Sequence, residues 1–215
     1  MAEFILNRRA LGRAAALVAT AALTAGALIA SSASAAVETG KAAPVFAALD
    51  TGGATVKLAD YRGRIVVLEW TNDGCPYVRK HYQSGNMQKL QKEATADGVV
   101  WLTIISSAPG QQGYADGARA DKLTSDRGAA PTDVLLDPKG AVGHLYNAKT
   151  TPHMFIIDKN GTLVYQGAID DKPTTNPADL AVAKNYVRAA LAEMKAGQPV
   201  TTKATVAYGC TVKYD

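Results

Sequence analysis

The sequence holds only two cysteines, Cys75 and Cys210, in 215 residues. Two thiols permit one intramolecular pairing, and the sequence leaves open whether it forms. The paired-cysteine spacing of a metal site is missing, so no metal or other cofactor is expected. No lysine-arginine block follows Arg13, and no internal repeat occurs. Of the formal net charge of +4, Arg8, Arg9 and Arg13 set against Glu3 contribute +2, leaving +2 for the rest. A balance that small gives no reason to expect nucleic acid or an acidic membrane as partner. Beyond Ala30 no segment is long and apolar enough to span a bilayer.

What is present reads as an ordinary globular chain, with 47% hydrophobic and 20% charged residues. Its N-terminus has the layout of an export signal. Asn7-Arg8-Arg9-Ala10-Leu11-Gly12-Arg13 precedes an Ala-rich apolar stretch from Ala14 to Ala30, and Ser31 to Ala36 offers small residues for cleavage. The paired arginines resemble a twin-arginine signal, which Asn7 and Arg13 fit loosely. The expected division is a signal over 1–35, one domain over 36–197 and a tail over 198–215 carrying Cys210. The expected location is periplasmic or extracellular, where a disulfide can persist.

Along the mature chain, strand-like and helix-like segments alternate. Val45–Leu49 is a short apolar run, and Leu58–Gly63 reads as a single helical turn. Ile65–Trp70, Val99–Ile105 and Asp133–Asp137 read as strands, the first two nearly continuous in apolar residues. One long helix is expected over Pro76–Ala96, a helix between the second and third of these strands, and a short one over Val142–Tyr146. Met154–Asp158 and Thr162–Gln166 flank Asn160-Gly161, a strong hairpin signal. Asp179–Lys195 has helical spacing and ends before Gly197. The order predicts an α/β fold: a central mixed sheet with parallel middle strands, an antiparallel hairpin at one edge, flanking helices and a C-terminal tail.

The chemistry lies in Trp70-Thr71-Asn72-Asp73-Gly74-Cys75-Pro76-Tyr77-Val78-Arg79. Pro76 suits a first helical position, which puts Cys75 at the helix N-terminus among unpaired amide N–H groups and the positive end of the dipole. Such a place favours thiolate over thiol. The polar residues before Cys75 predict an exposed junction.

Cys75-Pro76-Tyr77-Val78 resembles the active-site turn of the thioredoxin superfamily, with Val78 where a second cysteine usually stands. Thr150-Thr151-Pro152-His153 running into Met154–Gly161 is similar to that superfamily's cis-proline segment and edge hairpin. The resemblance spans about Ala42 to Lys195. It implies a cis Pro152 lying against Cys75, with the Thr151 backbone and His153 facing a substrate or partner.

The lone cysteine resembles the peroxiredoxin branch, the alkyl hydroperoxide reductase and thiol-specific antioxidant group. That branch implies Cys75 as the thiol that peroxide oxidises and Cys210 as a candidate resolving thiol, with thiols of proteins or small molecules as further partners. The tail's aromatic and β-branched residues imply that it docks. The chain departs from the branch at Leu68 and Asn72, where a proline and a threonine or serine are usual, with Thr71 one residue displaced. An arginine is also missing around Thr151-Pro152-His153. Arg79, one helical turn beyond Cys75, is the candidate replacement for its positive charge.

His153 could act as proton carrier or ligand, or sit as a satisfied strand histidine. His81 is expected at the surface, and His144 has no partner in sequence. A thiol-dependent oxidoreductase is therefore the leading function. The alternatives are a copper carrier using Cys75, His153 and Met154 or Met87, and a binding module without turnover.

Overall fold

A strand apolar on both faces must be covered on both, and Val66–Trp70 (β3) and Val100–Ile105 (β4) are buried along their whole lengths. The computed structural model describes residues 37–215; the export signal expected over 1–35 lies outside the described residues. β3, β4 and Asp133–Leu136 (β5) pair in parallel. His153–Ile157 (β7) runs antiparallel beside β3 and turns through Asn160-Gly161 into Leu163–Gly167 (β8). Ala47–Asp50 (β1) and Thr55–Lys57 (β2) complete the other side, giving the order β2-β1-β5-β4-β3-β7-β8. The sheet is mixed, with parallel middle strands and an antiparallel hairpin at one edge.

Successive side chains of a strand point to opposite faces. Val66, Leu68 and Trp70 accordingly join Phe155, Val142 and Tyr146 on one face, where the rings of Trp70, Phe155 and Tyr146 lie 5.1–5.6 Å apart. Val67 faces the other way, packing with Cys75, Val78, Met87, Leu90, Met154, Ile156 and Val187. Helices Pro76–Gln83 (α1), Asn86–Ala96 (α2) and Tyr186–Lys195 (α5) supply that layer. Gly117–Asp126 (α3) is the helix expected between β4 and β5, capped by the Asp116 carboxylate accepting from the Arg119 amide at 2.9 Å. Ala141–Leu145 (α4) carries Val142 to the opposite face.

Two expected helices are broken. The run Pro76–Ala96 divides at Ser84-Gly85: Gly85 takes a left-handed φ of +76°, and the Ser84 hydroxyl donates to the Lys80 carbonyl at 2.6 Å. The run Asp179–Lys195 divides into a 3-10 turn, Pro177–Ala181, and α5. Asn185 caps α5, its side-chain oxygen accepting from the Arg188 amide at 2.9 Å, so Leu180 and Ala183 lie before the helix. The docking inferred for the tail is found. Ala204 bridges to Gln166, and Cys210–Thr211 (β9) pairs antiparallel with Thr150–Thr151 (β6). Val212 is buried in the core, and Tyr214 stacks on His144 with ring centres 4.1 Å apart.

Candidate active site

β3 ends at Trp70, and five residues later Cys75 is the N-cap of α1 with Pro76 at the first helical position. Asn72 shapes the loop between them. Its side-chain oxygen accepts from the Gly74 amide at 2.8 Å, its amide donates to the Gln112 carbonyl at 3.1 Å, and its carbonyl accepts from the Cys75 amide at 3.1 Å. The Cys75 thiol donates to the Thr151 carbonyl at 3.0 Å, across a Thr151–Pro152 bond that is cis. Cys210 stands opposite Thr151 in the β6–β9 pairing and packs against the apolar cluster that contains Cys75. Neither cysteine is in a disulfide. The structure thus brings Cys75, Thr151, Pro152 and Cys210 together.

The expected exposure of Cys75 is corrected: the residue is 0% exposed, because the tail lies over the junction. Burial raises its pKa, but hydrogen bonds from the Cys210 thiol, the Val78 and Cys210 backbone and Thr151 outweigh burial and hold it below the ordinary thiol value. Burial, followed by the neighbouring Cys75, pushes Cys210 up to about 11. The two thiols are therefore polarised. Cys75 ionises first, and Cys210 keeps its proton.

Other expected residues are placed elsewhere. Arg79 is exposed and its Nε donates to the Asp73 carbonyl at 2.9 Å, away from the thiols. His153 packs on Phe155, ring centres 4.4 Å apart, on the sheet face opposite the Cys75 cluster. Its Nδ1 accepts from the Lys149 amide at 3.3 Å, and burial lowers its pKa to about 4. It is a satisfied strand histidine, and the set Cys75, His153 and Met154 does not converge. Among the described residues no three His, Cys, Asp or Glu side chains gather to hold a metal ion. The Thr71 hydroxyl is buried and has no hydrogen-bond partner.

His81, expected at the surface, is fully buried, and burial lowers its pKa to about 3. Its Nδ1 faces the Asn86 amide at 2.9 Å, which leaves the ring proton on Nε2. Nε2 lies 3.7 Å from Asp170 and 3.5 Å from the Tyr208 hydroxyl. Lys80, equally buried, donates to the Lys172 carbonyl at 2.7 Å and to the Tyr208 oxygen at 3.2 Å, with Asp170 3.8 Å away. The Tyr208 hydroxyl donates to Asp170.

A second buried acid, Glu69 on β3, accepts from Tyr82 (2.8 Å), Gln91 (3.1 Å), Trp101 (2.8 Å) and Thr103 (3.1 Å). Burial raises its pKa above the ordinary value despite those donors. Sequence reading passed over both groups. Glu69 had a signal, a lone charge inside an apolar strand; Lys80 and Asp170 had none.

Comparison with known proteins agrees with this architecture. An uncharacterized conserved protein of Geobacillus kaustophilus superposes with a TM-score of 0.71 and 26% identity, over 83% of this chain and 93% of that one. Thiol-disulfide oxidoreductase ResA of the same organism is 27% identical over 133 residues, 59% of this chain and 67% of that protein. Proline–tRNA ligases of Burkholderia mallei and Burkholderia pseudomallei align at 37% identity over 112 residues, 44% of this chain. The chain spans only 19% of the length of those ligases. The AhpC/TSA family pattern matches residues 39–166, which run from before β1 to within β8 and include Cys75 and the cis proline. With more than half its length matched, and a thioredoxin-like fold around that segment, the chain belongs to the AhpC/TSA family.

Proposed function

We propose that this protein is an exported thiol-dependent oxidoreductase in which Cys75 is the attacking thiol and Cys210 the resolving one. The observation that carries the reading is the convergence of both cysteines on Thr151: the Cys75 thiol donates to its carbonyl at 3.0 Å, and β9 sets Cys210 opposite it. A thioredoxin-type exchange needs a second thiol near the first, and Val78 cannot supply it. The docked tail does. The Cys75 thiolate attacks one sulfur of a substrate disulfide; a mixed disulfide forms and the other substrate sulfur leaves as thiolate. Cys210, losing its proton, then attacks Cys75. The Cys75–Cys210 bond forms, the mixed disulfide breaks, and the second substrate thiol is released. The substrate is reduced by two electrons, and an external thiol pair restores the enzyme.

Peroxide is the second oxidant to consider, favoured by the family itself. There Cys75 would take the terminal oxygen, releasing water or an alcohol, and Cys210 would convert the sulfenic acid to the same disulfide with loss of water. Asn72 is committed to the loop and Arg79 to Asp73, so the usual peroxide-activating groups have no replacement at the thiol. Disulfide exchange is the better-supported reading. In it, residues 1–35 direct export, 36–197 form the redoxin domain, and 198–215 return the resolving thiol.

The test is intact mass of the reduced mature protein after oxidised glutathione or one equivalent of hydrogen peroxide, beside Cys75→Ser and Cys210→Ser. Loss of two hydrogens in the wild type, with a glutathione adduct or one added oxygen trapped in Cys210→Ser, is expected. An unchanged wild-type mass with both oxidants rejects the reading.

A further inference from the structure

Lys80, His81 and Asp170 form a buried charged cluster that the thiol steps do not use, and the group that fills it is Tyr208, two residues before Cys210. We infer that Tyr208 is a positioning residue: its hydroxyl, seated between Lys80 and Asp170, fixes Cys210 against Cys75. This rests on the proposed pairing of the two thiols and adds what determines it.

The case starts from which parts of the tail are anchored. Upstream, the Thr205 hydroxyl bonds the Tyr165 hydroxyl at 2.7 Å and accepts from the Ala168 amide at 2.9 Å. Downstream, β9 pairs with β6, and the Val212 amide donates to the Lys149 carbonyl at 3.0 Å. Between Thr205 and Cys210, Val206 projects into solvent at 90% exposure. Tyr208 is the side chain that grips the body over this stretch. Its ring meets Tyr77 edge-on at 5.7 Å and lies under Lys80 Nζ at 5.1 Å.

Tyr77, Lys80 and His81 all belong to α1, the helix whose N-terminus carries Cys75. One rigid helix therefore holds both the attacking thiol and the socket of the residue that delivers its partner. Gly209 joins socket to strand with a φ of +141°, and a Cβ there would overlap the Thr151 carbonyl oxygen. The tail can enter the β6 edge only with glycine at this position. Holding two reactants together raises their effective concentration, and the cluster does this for the two sulfurs.

The experiment is the equilibrium of the full mature chain with a reduced and oxidised glutathione buffer, read as the ratio of intramolecular disulfide to dithiol. One glutathione disulfide is consumed and two glutathiones are released per protein disulfide formed. Tyr208→Phe is expected to lower that equilibrium constant about tenfold, the size of one hydrogen bond to a charged partner, and Tyr208→Ala further. Tyr146→Phe, which removes another buried hydroxyl bond, to the Pro44 carbonyl at 2.7 Å, is the control and should stay within twofold of wild type. Equilibrium constants within twofold of wild type in both Tyr208 variants overturn the positioning role and leave the thiol pairing standing. A fall in Tyr146→Phe equal to that in Tyr208→Phe also overturns it, since general loosening would then be the cause. A wild type that forms no intramolecular disulfide removes the pairing and the positioning role together.

Discussion

Two buried carboxylates stand on the helix-covered side of this molecule, and their surroundings differ. Glu69 is met by four uncharged donors from β4, α1 and α2, all in the body of the domain. Asp170 Oδ1 accepts from Tyr208 of the tail and from the Lys172 amide at 2.9 Å, with Lys80 at 3.8 Å, while its Oδ2 has no hydrogen-bond partner among the described residues and lies 3.7 Å from His81. The first arrangement ties strands and helices to one another. The second ties a separable segment to the helix that carries the reactive thiol. A buried acid satisfied wholly by its own layer serves stability, whereas one that takes a donor from across a joint sets where the joined part rests.

The largest effect expected on this comparison is that of Glu69→Ala. It leaves four buried donors without an acceptor, and at about 1–3 kcal/mol for each unsatisfied group, partly relieved by relaxation, the loss should reach about 5 kcal/mol. Urea unfolding should show it equally for the dithiol and disulfide forms; a loss confined to one form would blur the distinction from Asp170. Asp170→Ala should cost about 3–5 kcal/mol, because Lys80 stays buried without its carboxylate. Unlike the Glu69 change, it should also speed alkylation of Cys75 in the folded protein by an order of magnitude or more. An unchanged alkylation rate would return Asp170 to a purely structural place.

Acid should separate the two sites next. The folded pKa of His81 is about 3, below its ordinary 6.5, so in the interval between them the unfolded chain binds the proton that the folded chain refuses. The stability this represents is complete above pH 6.5 and is lost as the pH falls toward 3. Going from pH 7 to pH 5 should remove about 2 kcal/mol through His81, an amount absent from His81→Gln. Glu69 acts with the opposite sign: its raised pKa favours the folded state below the ordinary value of 4.5, and that contribution is lost as the pH rises above it. The smallest effect is expected from Glu69→Gln, about 1 kcal/mol, because an amide oxygen can keep three of the donors and its nitrogen can face the Tyr82 oxygen. Its cost relative to wild type should shrink as the pH is raised from 4.5, which paired urea titrations would record.

The parts of this molecule that could be read from sequence are those whose determinants are local. Asn160-Gly161 makes its hairpin whatever surrounds it, Pro76 starts its helix, and the strands β3 and β4 announce burial by their composition. The helix breaks were half-legible: Ser84-Gly85 and Asn185 are ordinary stop and start signals, overridden in a reading that followed apolar spacing. The placement of His81 failed because rotation away from Cys75 does not mean rotation toward solvent. The helix has two buried faces here, one against the sheet and one under the tail. The tail's composition announced that it docks but not where, since Gln166, Asp170 and Thr151 hold it from 37 to 59 residues away.

The cover over Cys75 also sets a ceiling on speed. A sulfur with no exposed surface reacts only in the moments when the tail stands open. At low reagent concentration the rate should rise in proportion to reagent. At high concentration it should flatten at the opening rate of the tail, the same plateau for every reagent small enough to enter. The height of that plateau is a property of Tyr208, Gly209 and β9 rather than of the thiol, so the chemistry of one residue is timed by the breathing of a strand two residues long.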